Sequence, residues 1–264
     1  MERRGLGSLQ PLSDDVSAAD WLVAAVRDFD HSVGSLVPPV FQAYARAFHP
    51  ARRHGKAGAD VDVSWTEVAA FNGRHAHAGM QWTSITGSWQ YLHEDTQPGV
   101  WDVEPEEGTL PAAQAEALVQ VLARFTSSPQ QCFFSVWEGF GALAVPPVAR
   151  TVLMPQREMR LLTGPLSEAV TASMETPPWE QSPSLWWPAD RAWCVATDVD
   201  LMSTYIGASS ACVQAVTTAA DLEAWSIDSR HGITYDSDSL NTVVAPPPDT
   251  ARFLTACLHS PTRQ

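Results

Sequence analysis

The spacing of apolar positions predicts two helices at the start of the chain. Trp21, Leu22, Ala25, Val26 and Phe29 recur every three or four residues behind Ser17 or Asp20, either of which can cap a helix. Pro38-Pro39 then opens a second stripe, Phe41, Tyr44, Ala45 and Phe48, which predicts a helix over 40–48 ended by His49-Pro50. Residues 51–62 read as a polar loop. Ser64-Trp65-Thr66-Glu67 has the form of a capping box, with Ser64 as the cap, Glu67 as its partner and Gly73 as the stop. The clearest helix covers 111–125, with Pro111 at its start and Leu118, Val121, Leu122 and Phe125 on one face. Residues 74–110 show little periodicity.

The second half changes period. Cys132-Phe133-Phe134-Ser135-Val136-Trp137 is a buried strand that Gly139 and Gly141 break, and residues 151–154 and 159–162 are two further short strands. A short helix and a Pro-rich loop occupy 165–183. A strand over 192–198 pairs with 203–206, and a helix covers 208–225. An acidic loop, a short strand over 242–245, and a helix over 250–258 capped by Asp249 complete the reading. Helices come first, strands then mix with helices, and no βαβ rhythm appears. The order implies an α+β fold, a mostly antiparallel sheet with N-terminal helices packed on it. Residues 1–17 are expected to be a flexible tail and 18–264 a single domain, with a soft boundary near 128 as the only break.

Composition narrows the function classes. With 45% apolar and 17% charged residues among 264, the chain can bury a core. A formal net charge of −14 argues against nucleic acid, which demands a basic face, and against an anionic membrane surface. It suits a basic protein partner. Cys132, Cys194, Cys212 and Cys257 form no CxxC pair and fit reduced, buried thiols in a cytoplasmic protein. No apolar leader region and no run of about 18 apolar residues is found. Oligomeric state is left open.

Catalytic motifs are sparse. GxSxG, the phosphate-binding GxxxxGK[ST] and GxGxxG are missing, so the sequence asks for no cofactor. The metal alternative is His75, His77 and His93, since H-x-H puts two rings on one side of a strand and His93 is followed by Glu94 and Asp95; His49 and His54 lie near in sequence. Asp236-Ser237-Asp238 opens like a calcium loop but lacks its glycine and terminal glutamate. Glu138 and Asp198 are candidates for paired acid–base carboxylates in a hydrolytic enzyme. Cys132 or Cys194 could meet a histidine in space.

The densest chemistry lies in 185–200, where Trp186, Trp187 and Trp193 accompany Asp190, Arg191, Asp198 and Asp200. Consecutive Trp186 and Trp187 point to opposite sides of an extended chain, so one of them is expected to be exposed. Trp193 faces the core. The binding residues expected are therefore Trp186, Trp187, Asp190, Arg191, Asp198 and Asp200, the last four at the two ends of one strand.

Three segments carry a resemblance. They are Tyr44-Ala45-Arg46 with His49-Pro50-Ala51, the run from Cys132 to Gly141, and Trp187-Pro188-Ala189-Asp190-Arg191-Ala192-Trp193 through Tyr205-Ile206-Gly207. Over most of 40–225 the chain resembles an uncharacterised actinobacterial protein family, which implies no activity. The acidic charge and the strand pair around Trp193 and Tyr205 are more loosely similar to immunity proteins of bacterial toxin systems, including the SUKH type. The charge, the lack of catalytic motifs and the aromatic cluster imply an acidic, cytoplasmic binding or accessory protein, immunity-like in its specific form; a metal-dependent or carboxylate-based hydrolase is the alternative.

Overall fold

The computed structural model describes residues 8–12, 14–26, 28–55, 58–88, 96–140, 150–173 and 182–241. Nine strands form one sheet in the order β1 (Gln10–Pro11), β7 (Arg157–Gly164), β5 (Cys132–Trp137), β8 (Leu185–Pro188), β9 (Trp193–Thr197), β10 (Ser203–Ala208), β2 (Ala43–Phe48) and β11 (Ala224–Ile227), with β6 (Thr151–Met154) also on β7. Every pairing is antiparallel. A separate hairpin, β3 (Ala51–Arg53) with β4 (Val61–Val63), lies within the expected loop. The fold is α+β, and the sheet runs across residue 128.

Both faces of the sheet are covered. On one, Phe134, Trp186, Trp193, Val195 and Ile206 pack with Leu118 and Leu122 of α4 (Ala112–Leu122), Ala169 of α5 (Glu168–Ser173) and Val213 and Val216 of α6 (Ser210–Thr217). On the other, Tyr44, Leu161, Trp187, Cys194 and Tyr205 share a cluster with Leu22 of α1 (Asp20–Ala25) and with Val33, Leu36 and Val37. Gly207 permits this second cover to sit close. A Cβ there would lie 2.5 Å from the Phe41 ring and 2.6 Å from Val37. A third cluster joins Phe48 to Trp65, Val68, Trp82 and Trp101 around α2 (Trp65–Phe71) and α3 (Trp82–Thr86).

Several expectations need correction. The helix over 40–48 is strand β2. Its Phe41/Tyr44/Ala45/Phe48 spacing fits a helix, but Tyr44, Arg46 and Phe48 share one strand face while Ala45 and Ala47 share the other. One N-terminal helix, α1, therefore stands where two were expected. Part of the expected tail is ordered, because Gln10 and Pro11 pair with β7 and Leu9 is buried. The helix over 208–225 stops at Thr217, where the Thr218 hydroxyl turns back to the Gln214 carbonyl, and β11 follows. The strand over 242–245, the helix over 250–258 and Cys257 lie outside the described residues. The capping box is as read: Ser64 Oγ accepts from the Glu67 amide, and the Glu67 carboxylate accepts from the Ser64 amide.

Candidate functional site

Residues 185–200 supply core more than surface. Trp186 and Trp187 are each 1% exposed, so neither is available to a partner. They point to opposite sides, as the strand geometry requires, but both sides are covered. Trp186 stacks on Phe134 at 6.5 Å and meets Trp193 edge-on at 5.3 Å. Trp187 stacks on Phe133 at 5.8 Å and meets Trp21 at 6.1 Å. Trp193 donates its indole N–H to the Leu122 carbonyl.

Asp190 is structural. Its carboxylate accepts from the Thr126 hydroxyl and from the Ser127 amide and hydroxyl, fixing the connection between α4 and β5. Partial burial alone would raise its pKa; the Ser127 and Thr126 hydrogen bonds outweigh that and hold it below the usual value. Arg191 adopts φ 55° beside it and lays its guanidinium 5.5 Å from the Trp21 ring. At the far end of β9, Arg157 bridges Asp198 at 2.9 Å and Asp200 at 3.2 Å. Burial still raises the Asp198 pKa, with Arg157 opposing.

Asp198 and Asp200 edge a cleft of about 430 Å³, whose lining includes Trp65, Trp82, Thr83, Met202 and Tyr235. Arg46 of β2 also lines it. The residue is 3% exposed, and four of its hydrogen bonds go to neutral acceptors: Ser203 Oγ, the Ala78 and Met80 carbonyls, and Gln81 Oε1. Aromatic rings cover its guanidinium, with Phe48 at 4.5 Å, Trp65 at 5.3 Å and Tyr205 at 5.7 Å. Among the described residues no ion pair joins Arg46 to a carboxylate. Burial lowers its pKa, but an arginine stays charged at neutral pH. The sequence does not single out this residue, because the apolar spacing of 40–48 predicts a helix. Its signal was an arginine two positions from Tyr44 and from Phe48, the period of a strand face.

A polar network ties down the loop that holds Arg46. Asp238 accepts from His77 Nε2 at 2.8 Å, from the Ser84 hydroxyl and from the Asn241 amide. Burial would raise its pKa; the Asn241 and Ser84 bonds hold it down at about 2. His77 Nδ1 accepts from the Gly79 amide, so the proton sits on Nε2. Asp238 stands between histidine and serine, and Ser84 is fully buried, so this is no nucleophile relay. Gly79 allows His231 to pack close, since a Cβ would lie 2.3 Å from its Nε2.

Of the metal alternative, only His75 and His77 fall among the described residues, and both are placed otherwise. His77 is spent on Asp238, and His75 is exposed, with its backbone held by Asn241. His93 lies outside the described residues. Among those residues no group of three His, Cys, Asp or Glu side chains could hold a metal. His49 is buried between the Glu106 carbonyl and the Thr204 hydroxyl, and burial lowers its pKa to about 4. Glu138 and Asp198 are paired to different arginines, Arg160 and Arg157, which alternate to opposite faces of β7. Cys132, Cys194 and Cys212 are buried thiols; burial pushes Cys132 to about 12 and Cys212 to about 11.

No family model, curated protein or solved structure matches the chain.

Acidic side chains also gather in a second concavity. A groove of about 600 Å³ between α4 and the start of α2 is lined by Asp62, Glu67, Glu116, Asp221 and Glu223, and by no Lys, Arg or His. Two of these carboxylates have local duties. Glu223 accepts from the Trp65 and Thr66 amides at the start of α2, and Glu67 serves the capping box. Asp62, Glu116 and Asp221 are exposed. Among the described residues no helix is long and apolar enough to cross a membrane.

Proposed function

We propose that the protein is an acidic binding or accessory protein that presents this groove to a basic protein partner. The observation that carries the reading is the set of five carboxylates around one concavity with no cation in its lining. Such a surface raises the local concentration of positive side chains and speeds their encounter, and salt screens that effect over about 10 Å. An immunity-like role is the specific form favoured, because the loose resemblance at 193–207 and the net charge of −14 point the same way.

A fluorescent nona-arginine peptide provides the test. Wild-type protein should bind it with an affinity that falls steeply as salt rises. D62N/E116Q/D221N should weaken binding by about tenfold or more. Neutralising three exposed acids elsewhere, D14N/D20N/D28N, should change it by less than about twofold. Equal losses in the two triple variants would mean that net charge alone acts, and would contradict the proposal.

A further inference from the structure

The acidic groove opens at the start of β11, since Ala220, Asp221, Leu222 and Glu223 line it. β11 closes one end of the sheet. β2 pairs with it on one side, and among the described residues no strand lies on the other. Every residue of β8, β9 and β10 is buried, whereas no residue of β11 is, and Ser226 is exposed.

The register shows which backbone groups are left over. The Phe48 amide donates to the Glu223 carbonyl, and Ala224, Trp225, Ser226 and Ile227 stand opposite Ala47, Arg46, Ala45 and Tyr44. Antiparallel partners alternate between bonded and non-bonded pairs, so Trp225 and Ile227 turn their N–H and C=O groups to β2. Those of Ala224 and Ser226 point away from the sheet, and among the described residues nothing hydrogen-bonds to them. Edge strands normally carry a device against pairing, such as proline, a charged side chain or a bulge. The opposite end of the sheet has such devices: Pro11 sits in the two-residue β1, and β6 lies between Arg150 and Arg157. Ala224-Trp225-Ser226-Ile227 has neither proline nor charge. Its outward N–H and C=O groups are a template for another strand.

We propose that β11 takes the basic partner as an added strand. An extended segment of that partner pairs with Ala224 and Ser226, and its arginine or lysine side chains pass Glu223 and Asp221 into the groove. The proposal rests on the groove being the site for a basic partner, and adds the conformation in which that partner binds. Charge selects the occupant. Asp221 and Glu223 adjoin the strand, the groove lining holds no cation, and a second copy of this chain would bring its own net charge of −14. Main-chain pairing then supplies affinity, while the acids select the side chains.

Two capped peptides with the same four arginines test the pairing. Acetyl-RVVRRVVR-amide can form a strand; acetyl-RPPRRPPR-amide cannot, because consecutive prolines remove donors from both of its edges. In calorimetric titration the valine peptide should bind at least about tenfold more tightly. In amide exchange read by NMR, it should slow the Ala224 and Ser226 amides at least about tenfold, and the proline peptide should leave them unchanged. Ser226→Pro removes only an outward N–H, which an edge strand tolerates, so the variant should fold and bind both peptides with the weaker affinity. Should it unfold, the wild-type affinities and exchange rates still decide. D62N/E116Q/D221N should weaken both peptides. Equal wild-type affinities, or unslowed Ser226 exchange with the valine peptide bound, would overturn strand addition and leave the groove reading intact. Wild-type affinity of D62N/E116Q/D221N for both peptides would sink the groove reading and strand addition with it. Ser226 exchange that slows with rising protein concentration before any peptide is added would place a second copy on the edge, and would also overturn the proposal.

Discussion

Two regions of this molecule exchange the roles their sequences advertise. The β8–β9 segment is dense in tryptophan and acid and looks like a binding surface, yet Trp186, Trp187 and Trp193 are at most 1% exposed. The β2 segment reads as an ordinary amphipathic helix, yet it is a strand that places a buried arginine on the wall of a cleft. Aromatic density is therefore a poor guide to surface function when both faces of a sheet are covered.

The comparison can be broken most forcefully at the aromatic end. Trp186→Ala should cost about 3–5 kcal/mol in urea unfolding, because it opens a large hole against Phe134 and Trp193. The folded fraction should still bind nona-arginine as wild type does. Lost binding with small destabilisation would return the segment to the surface.

Arg46→Met should cost somewhat less, about 2–4 kcal/mol by the same measurement. It orphans the Ala78 and Met80 carbonyls at about 1–3 kcal/mol each, offset in part by removal of a desolvated charge. No destabilisation at all would mean that the guanidinium has no structural duty.

His49 sharpens the picture through pH. The Glu106 carbonyl can only accept, so His49 Nδ1 donates to it and neutral Nε2 accepts from Thr204. Its pKa is lowered in the folded chain, so the unfolded chain binds its proton first. Stability should be full above about pH 6.5 and should decline as pH falls toward about 4, then level off. His49→Gln should flatten that part of the stability–pH curve; an unchanged slope would contradict the assignment. The smallest effect expected is Thr83→Val, a change in stability within about 0.5 kcal/mol, since no hydrogen bond is lost.

Legibility followed local physics. Strands β5 and β6, helix α4 and the Ser64/Glu67 capping box were readable because each is specified within a few residues. Strand β2 was not. Arg46 breaks the apolar face that Tyr44 and Phe48 otherwise mark, and the alanines between them hide the alternation. The exposure expected of Trp186 or Trp187 assumed a sheet with one open face, but whether a second layer covers a strand is decided by distant segments such as Leu22 and Val37. Asp198 and Asp200 were placed correctly at one end of β9, whereas the acidic groove could not be read, because Asp62, Glu116 and Asp221 meet only through topology.

The central claim is that the tryptophans of β8 and β9 are core. Fluorine NMR of protein carrying 5-fluorotryptophan, assigned by single Trp→Phe variants, reads them beside the half-buried Trp21 and Trp225. On addition of a soluble nitroxide, the Trp21 and Trp225 resonances should broaden, while those of Trp186, Trp187 and Trp193 stay sharp. Broadening at Trp186 or Trp187 equal to that at Trp225 would contradict the account.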